Sequence, residues 1–306
     1  MTEDSFIVGV NYPWRHYGQD FGTCQWGYRG LAGAEEELSR DFQEIAARLP
    51  ATGKKVIRFF VFADGRSSPE FDAVGNILGY DEFFFRDFDS LLRAAAKTDL
   101  QLLPVLLDFR WCYPPSVVGG VQIAGRSDVI SEAMKRRSFL HNALGPLLAR
   151  YGDRAEIFAW DLMNEPEWIS KRFRFRLRPG SAVNIESLRT FFQDCTEMIH
   201  RHARQPVTIG SARPQWLRHW RGLGLDLYQC HWYLGPWRLR FASMRARIRN
   251  LDKPCLVGEA PTAGTRVDPI TYIERARRDG YAGVLFWSYR ANDRASDFRR
   301  IGGWTV

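Results

Sequence analysis

Short apolar, β-branched or aromatic runs recur along the chain at residues 6–11, 56–62, 102–108, 157–162, 207–210, 225–231, 255–259 and 283–288. Most are nearly continuous in hydrophobicity, the pattern of strands buried on both faces. Between them the apolar spacing changes to that of helices. Leu38, Phe42, Ile45 and Leu49 form one stripe behind a Glu-rich first turn, and Phe84, Phe88, Leu91, Leu92 and Ala95 form a second, with Asp81 placed to cap it. Leu140, Leu144, Leu147 and Leu148 form a third stripe, and Leu188, Phe191, Phe192, Cys195 and Ile199 a fourth. Tyr272, Ile273 and Ala276 follow Pro269, a residue suited to the first turn of a helix.

Strand and helix alternating eight times imply parallel strands joined by crossover helices, and eight such units closing on themselves make a (β/α)8 TIM barrel. No stretch reads as a linker and no repeat is visible, so residues 1–306 are read as a single domain. Only 19 residues follow Trp287, which predicts an eighth helix that is short or missing. That leaves a groove between the first and seventh helices, to be filled by the C-terminal tail or by a second copy, so a monomer or a weak homodimer is expected.

Composition narrows the picture. Hydrophobic residues make up 45% of the 306 and charged residues 25%, as in ordinary globular proteins. No apolar run reaches the roughly 18 residues of a membrane span. The start, Met1-Thr2-Glu3-Asp4-Ser5, has neither a basic nor a long apolar stretch, so a cytoplasmic location is expected unless a signal has been removed. The five cysteines are scattered, with no CxxC pair and no Cys/His grouping of metal-ligand spacing. Free thiols are expected, a Cys24–Cys112 bridge being the less favoured alternative. The net charge of +8 admits polyanionic partners, but the excess is carried by 37 arginines against six lysines, as codon bias alone produces, and no nucleic-acid motif accompanies it.

The chemistry is sought where strands of such a barrel end, at their C-terminal edge. Two strands deliver a glutamate there and then turn at a proline: Trp160-Asp161-Leu162-Met163-Asn164-Glu165-Pro166 and Cys255-Leu256-Val257-Gly258-Glu259-Ala260-Pro261. Strand counting sets Glu165 after the fourth strand and Glu259 after the seventh, facing each other across the mouth. Two such carboxylates are what glycoside cleavage needs: one protonates the leaving oxygen, and the other attacks the anomeric carbon or activates water.

Asn164-Glu165-Pro166 followed by Gly258-Glu259 resembles clan A glycoside hydrolases, family 5 in particular, and the match runs from Gly9 to Trp287. The resemblance implies a retaining double displacement with Glu165 as acid/base, Glu259 as nucleophile and carboxyls ~5–5.5 Å apart. It implies no metal and no organic cofactor. Arg58, in Val56-Ile57-Arg58-Phe59-Phe60, resembles the arginine that bonds the nucleophile, and Asn164 the asparagine that bonds the sugar 2-hydroxyl. His231 and Tyr233 match the pair flanking the two acids, and Trp287 the floor of the sugar subsite. The family's histidine near the end of strand three is absent from Leu103-Pro104-Val105-Leu106-Leu107-Asp108, so Asp108 is expected to take over its sugar contact.

Tryptophan-rich loops add to the case, since aromatic faces stack on pyranose rings. Trp14, Trp111 and Trp168 lie close after strand ends, and Asn11 sets a polar group near the same mouth. Residues 171–178 alternate basic and apolar with period two, which reads as an extended segment with one basic face: a charged, solvated edge, or a cationic flap favouring an acidic glycan. The expected partner is a β-linked glucan- or mannan-type oligo- or polysaccharide. A charged bacterial exopolysaccharide, transglycosylation, and a non-catalytic glycan-binding barrel remain alternatives.

Overall fold

The computed structural model describes residues 6–23, 26–28, 30–172, 183–233 and 248–302. Eight parallel strands close into a barrel in chain order. They are β1 (Ile7–Asn11), β2 (Lys54–Phe60), β3 (Gln101–Asp108), β4 (Trp160–Asn164), β5 (Val207–Ser211), β6 (Tyr228–His231), β7 (Cys255–Pro261) and β8 (Gly283–Trp287). β1 closes the ring by pairing with β8, Asn11 opposite Trp287. All eight apolar runs are therefore strands, although β4 begins three residues later than the pattern predicts; Ile157 makes only an isolated bridge to Leu102.

The helices follow the apolar stripes: α1 (Glu35–Arg48), α2 (Phe84–Ala96), a helical rod over 133–151 that includes a π-helical turn at Phe139–Leu144, and α4 (Ile185–His202), with the rod counted as α3. The fifth is α5 (Pro269–Asp279). Asp81 caps α2 as expected, its Oδ1 accepting from the amides of Phe83 and Phe84 at 2.9 Å each. Asp268 caps α5 by accepting from the Thr271 amide at 2.9 Å. Leu38, Phe42 and Ile45 of α1 and Leu188, Phe191, Phe192, Cys195 and Ile199 of α4 are buried against the strands, which places most of the core between the sheet and the helices. A second apolar cluster contains Val56, Leu103, Ala159, Leu256 and Leu285. Val56 precedes Arg58 by two on β2, so both point into the lumen and the apolar plug lies beneath a polar layer.

Among the described residues two connections depart from the strand-helix alternation. Between β5 and β6 the chain forms only a 3-10 segment, Pro214–Trp220, rather than an α-helix. Its Trp216, Leu217 and Trp220 are buried without a full helical stripe. After β8 the described residues contain a single 3-10 turn, Phe298–Arg300, so the eighth helix is missing there. The tail fills part of the space that the helix would occupy. Ile301 is buried, and Arg48 of α1 donates to the carbonyls of Arg299 and Ile301 at 3.2 and 3.3 Å. Asp41 of α1 ties the two ends of the ring together: it accepts from Tyr12 Oη at 2.6 Å, Arg15 Nη1 at 3.0 Å, Tyr289 Oη at 2.8 Å and Arg290 Nη2 at 2.9 Å.

Cys112, Cys195, Cys230 and Cys255 are buried free thiols, and Cys24 lies outside the described residues. Among the described residues no helix is long and apolar enough to cross a membrane.

Candidate active site

The polar layer of the lumen is built around one cation. Arg58 is fully buried, and its guanidinium reaches four acceptors. Nε donates to Asp161 Oδ2 at 2.9 Å, Nη1 to Glu259 Oε1 at 2.8 Å and to Asn11 Oδ1 at 3.1 Å, and Nη2 to Asn164 Oδ1 at 2.9 Å. A buried charge is tolerable only when paired and hydrogen-bonded in this way. Space for it comes from glycine: a Cβ at Gly210 would stand 2.7 Å from Arg58 Nη2, and one at Gly258 would stand 2.5 Å from the Gln229 side chain. That accounts for the Gly-Glu pair at the end of β7. Gln229 and the Gly210 amide complete the shell of Asp161, at 2.7 and 3.0 Å.

Above this layer the two glutamates meet. The register between β6 and β7 shifts after Cys230, and the irregularity brings His231 beside Glu259. One side-chain atom each from Glu165, Glu259 and His231 fall within 4.8 Å of one another. His231 Nδ1 lies 2.8 Å from Glu165 Oε1 and 3.5 Å from Glu259 Oε1. Tyr233 Oη donates to Glu259 Oε2 at 2.6 Å. Glu165 itself has left-handed backbone, φ +48°, an uncommon conformation for a residue with a side chain and one that concentrates at functional sites.

Burial dominates the protonation of the pair and pushes both carboxyls above the usual glutamate range. Glu259 is pulled back by His231 and Arg58. Glu165 is pulled back by the Trp168 indole, by Arg58 and by Arg213. The two groups are close enough to titrate as a unit. The guanidinium and phenol donors both rest on Glu259, so the first proton belongs on Glu165. His231 is depressed to about 4 by burial, and among the described residues its Nε2 has no hydrogen-bond partner.

A cleft of about 520 Å³ opens over the pair, lined by Glu165, Glu259, Asn164, Asp108, Tyr233, Trp14 and Trp287 among others. Trp14 and Trp287 stand edge to face at 6.3 Å, and Trp287 Nε1 is fixed by Asp293 Oδ2 at 2.7 Å. Asp108, at the end of β3, accepts from Asn164 Nδ2 at 3.1 Å and Tyr17 Oη at 3.2 Å, and burial raises it to about 6. It lines the cleft from the end of β3, the strand from which the histidine is absent.

Two expectations need correction, for Asn11 and for Trp111. Asn11 is not at the mouth: it is fully buried beneath it, bonding Arg58 and the Gly258 carbonyl at 2.8 Å. Trp111 is also fully buried and packs on Phe62 and Phe71, its Nε1 donating to the Arg126 carbonyl at 3.1 Å, so it is loop core and no sugar platform. Trp168 is not among the residues given above for the cleft over the pair; its indole bonds Glu165 Oε2 at 2.5 Å. Residues 173–178 of the basic segment lie outside the described residues; Ser170 and Val183, on either side of the undescribed stretch, form a bridge.

Sequence reasoning missed Asp161, Tyr17 and Asp293. Asp161 carried a usable signal, a charge inside an apolar strand, the same reason that singled out Arg58. Tyr17 and Asp293 sit on loops, where no periodicity tells one side from another.

The fold is a (β/α)8 barrel, and its paired strand-end glutamates over a buried arginine resemble the site of clan A glycoside hydrolases, family 5 in particular. No family model matches the chain. A mannan endo-1,4-beta-mannosidase from Cryptopygus antarcticus is 24% identical over 340 aligned positions, covering 95% of this chain and 82% of that protein. The crystal structure of a beta-1,4-D-mannanase from the same organism superposes with a TM-score of 0.80 at 22% identity, covering 97% of this chain and 88% of the other. An endo-1,4-beta-mannanase from Eisenia fetida gives 0.76 at 23% identity, with coverage of 97% and 88%.

Proposed function

We propose that this protein is a retaining hydrolase of β-1,4-linked mannan. The observation that carries the reading is the approach of Glu165 and Glu259 to within 4.8 Å at the floor of an aromatic-walled cleft. Oxygens that close fit the ~5–5.5 Å carboxyl separation of double displacement better than the ~6.5–9.5 Å that leaves room for an inverting water. The sugar class is supported by the Cryptopygus antarcticus and Eisenia fetida proteins, both named as mannanases.

In the first step the Glu259 carboxylate attacks the anomeric carbon. The glycosidic carbon–oxygen bond breaks, and the leaving oxygen takes the proton of Glu165. Arg58 and Tyr233 hold Glu259 for in-line attack and keep it ionised. In the second step Glu165, now an anion, takes a proton from water, whose oxygen displaces Glu259. Consuming the charge on Glu259 and restoring it shifts the proton affinity of Glu165 down and then up, as the two steps require. Asn164 and Asp108 offer polar contacts to sugar hydroxyls, and Trp287 and Trp14 offer aromatic faces.

The test is digestion of a polysaccharide panel, with product masses read at early times. β-1,4-Mannan should release manno-oligosaccharides at least tenfold faster than cellulose or xylan is cleaved, a discrimination of about 1.4 kcal/mol in transition-state binding. A protein active on glucan and inert on mannan would overturn the substrate; one inert on every glycan, including activated aryl glycosides, would overturn the activity.

A further inference from the structure

Glu165 is followed by a tight 3-10 turn, Pro166–Ile169, that brings Trp168 back against it. The Trp168 amide donates to the Glu165 carbonyl at 3.1 Å, and the indole Nε1 donates to Glu165 Oε2 at 2.5 Å. The turn is fastened on its other side by Glu167, which is buried and accepts from Ser211 Oγ at 2.6 Å, the Ala212 amide at 3.0 Å and Trp220 Nε1 at 2.7 Å. The Trp168 ring stands perpendicular to that of Trp216 at 5.7 Å, and the Arg213 guanidinium lies over both rings at 5.8 and 5.2 Å.

We propose that Trp168 is a positioning residue for the acid/base: its indole N–H grips Glu165 Oε2, fixes the rotation of the carboxyl and sets how tightly that group holds its proton. The proposal rests on the acid/base role assigned to Glu165 above and extends it. An indole N–H can only donate, so it favours the carboxylate over the acid. It therefore eases proton release to the leaving oxygen in the first step. With Oε2 taken by Trp168, Oε1 is left to His231. Among the described residues the other titratable or charged groups facing Glu165 are Glu259 on β7, Tyr233 just after β6, Arg58 on β2, Arg213 after β5 and Asp108 at the end of β3. Of these only Arg213 touches Trp168, through the ring face rather than the indole nitrogen, and a phenyl ring keeps a face for it.

The experiment is the pH dependence of kcat/KM on a manno-oligosaccharide for the wild type, Trp168→Phe and Glu167→Gln, with Glu165→Gln in parallel. Phenylalanine keeps a ring against Trp216 and loses the donor. Its basic limb, where Glu165 loses its proton, should move up by about one pH unit, a tenfold change in proton affinity, while the acid limb stays in place. Glu167→Gln loosens the turn and should move the same limb in the same direction by less. A basic limb at the wild-type position in Trp168→Phe overturns the proposal, as does a uniform loss of activity with both limbs unmoved. Glu165→Gln separates the two levels. If it cleaves at the wild-type rate, the acid/base reading itself fails. If it is inert while the Trp168→Phe limb is unmoved, only the role of Trp168 fails.

Discussion

Glu259→Ala is expected to lower kcat on mannan by about 10⁴-fold or more, and azide is expected to restore turnover with an aryl mannoside while inverting its configuration. The geometry gives the reason. Glu259 ends β7 with one oxygen on Arg58 and the other on Tyr233, at 2.8 and 2.6 Å, and so is held as an oriented anion beneath the cleft. Truncation leaves a space at the floor of the cleft from which azide attacks the face that the carboxylate attacked, giving the α-azide. Glu165→Ala should behave differently. Its activity on mannan should fall by about 10²–10⁴-fold, the usual worth of a general acid. A good leaving group needs no proton, so the glycosyl-enzyme should still form, and azide should attack it from the opposite face to give the β-azide. The two variants together assign each residue its role by product stereochemistry. The same azide anomer from both would show that the roles are not divided in this way.

The second large effect is expected at Arg58. Removing it in Arg58→Ala strands Asp161, which is fully buried, and takes one donor each from Glu259, Asn164 and Asn11. Breaking a buried ion pair from one side costs about 3–5 kcal/mol, so a clear loss of thermal stability is expected along with loss of activity. Arg58→Lys is the more informative variant. A lysine keeps the positive charge and much of the stability, but one ammonium cannot reproduce a planar fork that serves four acceptors in different directions. Activity should fall by about 10²–10³-fold, the usual effect of removing one preorganised hydrogen-bond donor from a reacting centre. The sign of the pH effect follows from the charge. Arg58 pulls the Glu259 carboxyl down, so a displaced cation lets it rise, and the acid limb of kcat/KM moves to higher pH. Denaturation midpoints and pH profiles of the two variants separate the structural share from the electrostatic share. A stable, fully active Arg58→Lys would show that charge alone suffices.

The sequence carried the barrel and the two glutamates because both obey patterns with a physical cause. Strands buried on two faces must be apolar throughout, so a Glu at the end of such a run stands out, as does the Arg58 charge inside one. The same reasoning reached Asp108 through a missing histidine. It went astray where distance along the chain stood in for direction. Asn11 and Trp111 both lie at or just after strand ends, yet Asn11 points down into the lumen onto Arg58, and Trp111 turns away under the loops against Phe62 and Phe71. Trp168 was singled out for the same reason, and a left-handed residue at Glu165 with the short turn after it sets the indole nitrogen on the acid, a contact the sequence did not show. Backbone reversals of that kind leave no periodic trace. The shortened fifth connection is similar: Pro-Gln-Trp-Leu-Arg-His-Trp is too brief for a helical stripe, and only tertiary burial of Trp216 and Trp220 decides its form.

The relation of Glu167 to Glu165 shows how the fold serves the chemistry at one remove. Two carboxyls two residues apart are placed in opposite surroundings, one sealed by three donors and one open to the cleft. Burial raises Glu167 to about 7, yet its donors come from β5 and the 3-10 segment after it, so it ties those elements to the turn that carries Trp168.

Above all, both glutamates are taken to act in turn on one anomeric centre. Proton NMR of a manno-oligosaccharide digest, followed from the first seconds before mutarotation, tests this directly. With double displacement the new reducing end appears first as the β-anomer and equilibrates later. A reducing end that appears first as the α-anomer would mean a single displacement by water, and would contradict the roles given to Glu165 and Glu259.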